Sequence, residues 1–233
     1  MQSEEQQKML REEQEKIQRK MIDLGITQGY AVDLDDTCFD TTRAYYEGLS
    51  ARFPAPADVA IDTVRKTYSL DGRLVYWNDI PDALAYAHEL MDDPHFNRHI
   101  HPFAEAAPAV RRLHERRIIT CYKTARKERM RTVTREALAE HSFPDLPIIM
   151  LEDDTSRHHI DAKALSLHAS YPHLRGIIDD SVRLARTVEE SGYPGEFFLF
   201  GIGAEHYQPQ NGRVLLARTW SNTEALLLER YGQ

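Results

Sequence analysis

Two spacings of apolar positions organise this chain. Short, nearly unbroken apolar runs occur at Tyr30–Asp35, Arg117–Tyr122, Leu146–Leu151, Leu174–Ile178, Phe197–Ile202 and Val214–Ala217. Runs of that length read as buried strands. Between them, apolar residues recur at three- and four-residue intervals, as at Ala106, Ala109, Val110 and Leu113. That spacing predicts helices over Glu105–Arg116, Arg126–His141, Asp161–Ser170, Val182–Ser191 and the C-terminal segment, where Ser221 and Glu224 have the spacing of a capping box. Strands alternating with helices predict an α/β chain built on a doubly wound parallel sheet. Such sheets bind ligands at the carboxyl ends of their strands.

Two segments fall outside this alternation. Ser3–Leu24 is polar, charged and free of Gly and Pro. Ser3 and Gln6 again have capping-box spacing, and Leu10, Ile17, Met21 and Leu24 form a narrow apolar stripe. The stripe predicts a solvated helix with one face resting on the domain, with homodimerisation through that face as the alternative. From Thr41 to Pro102 the pattern is helical, rich in aromatics and punctuated by Pro54, Pro56, Pro81 and Pro94. The expected organisation is an N-terminal helix (1–29), a core (30–40 and 103–233) and a small helical module (41–102).

Composition narrows the classes. With 29 Lys and Arg against 37 Asp and Glu, the formal charge is −8. That excludes a general nucleic-acid binder, which needs a basic face. It leaves room for a small anionic substrate in a locally positive pocket. Cys38 and Cys121 make no disulfide framework. No signal peptide and no run of ~20 apolar residues is present, so no membrane association is expected. A cytoplasmic location follows, although an exported effector without a standard signal reads the same way.

The chemistry gathers at strand ends. The first run ends in Asp33, Leu34, Asp35, Asp36 and Thr37. In an extended strand, Asp33 and Asp35 share one side of the pleat. Two carboxylates held that close repel, and hard oxygen ligands suit Mg²⁺. The second run leads into Lys123, Thr124, Ala125 and Arg126, and Lys163 stands near a helix start. Another run, Gly176–Ile178, ends in Asp179 and Asp180. Taken singly, each has an ordinary reading: a solvated turn, a structural Thr, a solvated Lys, a helix cap.

Together these residues resemble the four motifs of the haloacid dehalogenase (HAD) superfamily. Asp33-Leu34-Asp35-Asp36-Thr37 matches Asp-x-Asp-x-Thr after an apolar strand, Thr124 the second motif, Lys163 the third, and Asp179-Asp180 the paired-acid fourth. The resemblance covers about Tyr30 to Ser191. It implies Asp33 as nucleophile through an aspartyl-phosphate and Asp35 as general acid/base. It implies Mg²⁺ between Asp33 and Asp179, with the main-chain carbonyl of Asp35 as a further ligand. Thr124, Lys163 and Asp36 fall on the phosphate side. Thr120, in the same strand, competes with Thr124. Asp180 is an outer acid or an alternative metal contact. Arg126 is expected to cap or solvate the following helix, with an anionic substrate as its alternative partner.

Cys38 reads as a buried small hydrophobe. Glu152, Asp153, Asp154, His158 and His159 read as a solvated loop, and His95, His99 and His101 lack zinc-site partners. The helical module sits between the first and second motifs, the place of a C1-type cap. It resembles caps of small-molecule phosphatases, including the 5′-nucleotidase-like branch. Tyr45, Tyr46, Tyr76 and Trp77 read mainly as that module's own core, with stacking on a nucleotide base as the alternative. The implied function is a Mg²⁺-dependent phosphomonoester hydrolase of a small phosphorylated metabolite. Its alternatives are an idle binding or scaffold protein and a phosphotransferase, phosphomutase or dehalogenase on the same scaffold.

Overall fold

The computed structural model describes residues 4–55, 59–71, 76–77, 79–152 and 159–231. Six strands form one parallel sheet: β1 (Tyr30–Val32), β2 (Ile119–Lys127), β3 (Ile148–Leu151), β4 (Gly176–Asp179), β5 (Glu196–Phe200) and β6 (Val214–Ala217). Their order is β3-β2-β1-β4-β5-β6, with Val32 between Tyr122 and Ile178. The chain winds outward from β1 in one direction and restarts beside it with β4. This reversal places the crevice for a ligand at the carboxyl ends of β1 and β4.

The helices are α1 (Glu4–Asp23), α2 (Thr41–Arg52), α3 (Ile61–Asp71), α4 (Pro81–Asp92), α5 (Pro94–Arg98), α6 (Ala106–Glu115), α7 (Arg131–Glu140), α8 (His159–Ser170), α9 (Val182–Glu190), α10 (Gly203–His206) and α11 (Trp220–Tyr231). The pleat divides the sheet's side chains between two cores. Tyr30, Val32, Tyr122, Ile178 and Phe198 pack with Val110, Ala137 and Leu227 of α6, α7 and α11. Ala31, Cys121, Ile177 and Phe197 pack with Met21, Leu167 and Val188 of α1, α8 and α9. The α1 stripe is thus used within the chain: Met21 is fully buried, with Ile17 beside the same core, while Leu24 is exposed. The Ser3–Gln6 pair and the Leu10 side chain lie outside the described residues.

Between β1 and α6, helices α2–α5 build a third small core from Leu49, Trp77, Ala83 and Ala87. Pro81 and Pro94 open α4 and α5, where a missing N–H costs nothing. The chain leaves and re-enters the sheet domain side by side. Asp40 N donates to His101 O and Phe103 N to Cys38 O, each at 2.9 Å, and Phe39 bridges Pro102 antiparallel.

Several boundaries differ from the sequence pattern for physical reasons. β1 stops at Val32: the Leu34 carbonyl accepts from both Cys38 N and Phe39 N at 2.8 Å, and Asp36 takes a left-handed φ of 55°. β2 continues past Tyr122 to Lys127, so α7 begins at Arg131 after one 3₁₀ turn (Glu128–Met130) and not at Arg126. Gly201, at φ 72°, ends β5 at Phe200 before Ile202. Thr219 caps α11 in place of Ser221, its Oγ1 accepting from Asn222 N at 3.1 Å. Glu224 instead pairs with Arg112 at 2.6 Å.

Candidate active site

The apolar runs of β1 and β4 hold their backbones in register to the last residue, and the acids follow directly. Asp33 N donates to Ile178 O at 2.9 Å, which sets the two strand ends level. Asp33 is nearly buried and Asp179 fully so. The pleat turns both toward α8. From the buried face of α8, Lys163 Nζ reaches Asp33 Oδ1 and Asp179 Oδ2, each at 2.6 Å. Asp180 completes the group: Asp33, Asp179 and Asp180 each present an oxygen within 4.8 Å of the others. Ser181, not either Asp, caps α9, with its Oγ accepting from Leu184 N at 3.2 Å. Asp179 Oδ1 accepts from Ser181 N at 2.9 Å.

Burial dominates the electrostatics. It pushes Asp33 up to about 8; Lys163 opposes this, while Asp179 and Asp35 add to it. Asp180 is raised well above the carboxylate range by burial, then by Asp36, Asp179 and Asp33. Burial works against charge on Lys163, but Asp179 and Asp33 outweigh it and keep the ammonium charged. One ammonium faces three carboxyl groups. Asp33 Oδ1 and Asp179 Oδ2 are buried and, beyond that ion pair, accept no directed hydrogen bond. Hard oxygens clustered in this way fit a small divalent cation such as Mg²⁺.

Asp35 stands apart from this group. Because β1 ends at Val32, the turn carries the second acid away from Lys163. Its carboxylate accepts from Arg126 Nε at 3.0 Å, Arg126 Nη2 at 2.6 Å and Thr41 Oγ1 at 2.8 Å. The Arg126 side chain is 7% exposed and lies 5.8 Å from the Phe39 ring. Burial raises Asp35, but Arg126 and then Thr41 bring it below the usual carboxylate range. Arg126 therefore does not cap α7: it reaches Thr134 Oγ1 of that helix at 3.4 Å, but its charge is spent on Asp35. The signal was available, since Thr124 and Arg126 share one face of a strand at i, i+2. Thr41 had no such signal, because only the turn brings it back.

The remaining expected residues are also located. Thr120 Oγ1 sits 3.5 Å from Tyr30 O, at the start of β1. Thr124 is buried beyond the Val32–Tyr122 pair, its Oγ1 accepting from Arg126 N at 3.2 Å. The Asp36 carboxylate accepts from Thr42 N at 2.7 Å and Thr42 Oγ1 at 2.5 Å. Burial pushes Asp36 up to about 7 against those bonds. Its side chain is therefore committed to α2, and only its main chain is left for a phosphate. Ser69 of α3 donates to Asp180 O at 2.8 Å, a contact that no motif marked.

Other candidates fall elsewhere. His99 Nδ1 lies 2.7 Å from His95 O, and His101 faces His141. Glu152 pairs with Lys16 at 2.5 Å, while Asp153, Asp154, His158 and the His159 side chain lie outside the described residues. Cys38 is fully buried. Tyr45 and Trp77 are buried, and Tyr46 and Tyr76 pack on Trp77 at 5.7 and 6.1 Å. Tyr46, Tyr76 and Trp77 belong to the helical segment's own core, while Tyr45 packs on Phe96 at 5.2 Å. No described helix is long and apolar enough to cross a membrane.

No family model matches the sequence, and no curated protein matches it. Solved structures do match. A putative haloacid dehalogenase-like hydrolase from Bacteroides fragilis superposes with a TM-score of 0.56 at 16% identity, over 83% of this chain and 98% of its own. The chain shares its fold with this haloacid dehalogenase-like hydrolase. A HAD family hydrolase from Deinococcus radiodurans, described with bound phosphate and sodium, gives 0.54 at 14% identity, over 87% of this chain and 96% of its own. Mycobacterium tuberculosis Protein Tyrosine Kinase A gives 0.56 at 16% identity, over 86% and 98%. The shared fold thus spans nearly the whole length of each of these neighbours.

Proposed function

We propose that this chain is a Mg²⁺-dependent phosphomonoester hydrolase acting through an aspartyl-phosphate on Asp33. The observation that carries the reading is the meeting of Asp33, Asp179, Asp180 and Lys163 at the strand-order reversal. In the first half-reaction an Asp33 oxygen attacks phosphorus, and the bond to the ester oxygen breaks. Asp35 gives that oxygen its proton, and the alcohol leaves. In the second, water attacks phosphorus, Asp35 takes its proton, and the bond to Asp33 breaks to release phosphate.

Lys163 and the Thr124 hydroxyl hold phosphate oxygens and orient the ester for in-line attack. Asp33, Asp179, Asp180 and the main-chain carbonyl of Asp35 would hold Mg²⁺, which when bound neutralises charge on the transferring group. The helices α2–α5 act as a C1-type lid that excludes water and selects the alcohol. Arg126 holds Asp35 ionised, the form needed to accept a proton from water, so the donor step requires that pair to loosen.

Purified protein assayed with and without Mg²⁺ on a panel of phosphomonoesters should release phosphate only with the metal. Asp33→Asn should abolish release while circular dichroism stays unchanged. Full activity in that variant would remove the covalent intermediate. A wild-type chain that binds phosphate but turns over no ester would favour the idle binding protein.

A further inference from the structure

Two tyrosines of the helical segment face the acidic turn with their hydroxyls uncommitted. Tyr45 of α2 is 6% exposed, yet it is part of none of the three cores. Tyr68 of α3 is half-buried, with its ring against the segment's own core. Neither hydroxyl has a hydrogen-bond partner among the described residues, and neither is sealed from solvent.

Their neighbours aim them. Thr41 and Thr42 hold the carboxylates of Asp35 and Asp36, and Tyr45 stands one turn further along the same face of α2. Ser69 fastens α3 to the Asp180 carbonyl, and Tyr68 directly precedes it. With α2 packed on α3, the two rings converge over the Asp35–Asp36 turn. Burial, then Asp35, Tyr68 and Asp36, raise the Tyr45 phenol against Arg126. Burial, then Asp36, Asp180 and Asp35, raise Tyr68 against Arg183. Both phenols therefore stay protonated and able to donate.

A half-enclosed donor with no acceptor is costly to leave unmade. In the proposed reaction Lys163 and Thr124 hold the phosphoryl oxygens from the sheet side, and Asp35 meets the ester oxygen. The atoms that reach the lid beside Asp35 are those of the alcohol. The guanidinium groups of Arg126 and Arg65 are spent on Asp35 and Asp40. An anionic alcohol would thus meet Asp35, Asp36 and Asp180 without a counter-charge. A neutral hydroxyl accepts from a phenol at no such cost.

We infer that Tyr45 and Tyr68 select the alcohol, donating to the hydroxyl groups of a neutral polyol and rejecting a plain alkyl chain. A site built to hydrogen-bond a hydroxyl discriminates strongly against the analogue that lacks it. The inference rests on the phosphomonoesterase reading, which supplies the ester and the place of Asp35.

The first measurement compares kcat/KM, with Mg²⁺, for glycerol phosphate and propyl phosphate. The wild-type protein should prefer the glycerol ester by about tenfold or more. The ratio should fall toward one in Tyr45→Phe and in Tyr68→Phe, with circular dichroism unchanged. Tyr46→Phe, in the segment's own core, should leave the ratio as it was. The second is a calorimetric titration, with Mg²⁺ present, of dihydroxybutylphosphonate and butylphosphonate, which bind without turnover. The dihydroxy compound should bind about tenfold tighter, and both Tyr→Phe changes should remove the difference. That binding pattern without hydrolysis of any ester would overturn the phosphatase reading and uphold the role of the phenols. Hydrolysis with no preference for the glycerol ester, or with a preference that both Phe variants keep, would overturn the inference and leave the phosphatase reading standing. A ratio moved by one variant alone would remove the other tyrosine from the assignment.

Discussion

Lys123 and Thr124 are neighbours in β2 that point to opposite faces of the sheet. Thr124 lies on the side of Arg126, while Lys123 runs toward α8 and donates to Ser166. Burial pulls the Lys123 pKa down to about 7, with Cys121 opposing and Lys163 adding. The unfolded chain holds that proton up to about 10.5, so the folded protein gains stability as pH rises from about 7 to about 10.5. Lys123→Met should therefore stabilise the protein by about 1–3 kcal/mol at pH 6. The gain should be smaller at pH 9, and urea unfolding at the two pH values measures both. Arg126 offers the complementary test. Arg126→Gln removes the charge that holds Asp35 low, so Asp35 should rise. The alkaline limb of the pH–kcat/KM profile, set by Asp35 as proton donor to the leaving alcohol, should then move to higher pH, and an unmoved limb would show that Asp35 does not control it.

Single residues were readable where they broke a pattern. Asp33, Asp179 and Asp180 stand out because carboxylates end apolar runs, and Lys163 because it falls between them in the expected order. The separation of Asp35 from Asp33 was not readable, since it depends on a turn that closes three residues before the extended pattern does. Ser69 and Thr41 act through positions that only packing creates.

At the scale of elements, the docking of α3 on the acidic strand end is the contact most open to test. A Cβ at Gly203 would stand 2.6 Å from Ser69 Oγ, 2.8 Å from Val182 Cγ2 and 3.0 Å from Asp180 O. Gly203→Ala should cost about 1–3 kcal/mol by overpacking and lower kcat/KM by displacing α3. Gly212→Ala, where a Cβ meets nothing within 4 Å, is the control and should do neither. Strand positions and helix types followed from periodicity because both cores enforce it. Boundaries moved where backbone geometry intervened: a left-handed Asp36, a left-handed Gly201 and a Thr219 cap. Periodicity carries no record of those events.

For the molecule as a whole, the charge left by three carboxyl groups and one ammonium should be a folding liability that a divalent cation relieves. Mg²⁺ at about one hundred times its Kd should add about 2.7 kcal/mol to the unfolding free energy. In thermal denaturation the wild-type Tm should rise with added Mg²⁺, and the rise should vanish in Asp179→Asn. A wild-type Tm indifferent to Mg²⁺ would remove the metal assignment without touching the fold. The parallel, doubly wound order of the sheet was legible because apolar runs and helices alternate throughout, and that order alone locates the site.

The paired hydrogen bonds at Asp40–His101 and Cys38–Phe103 tie the two ends of the α2–α5 segment together. To the sheet, the whole α2–α5 segment is therefore inserted like one long hairpin tip. A different tip, longer, shorter or of another composition, can be spliced onto the same two rungs without disturbing β1 or β2. Under the proposed function, the choice of alcohol and the machinery for phosphorus would in this way be separately heritable, with the Ser69–Asp180 and Arg98–Glu136 contacts as the further points that a new tip must respect.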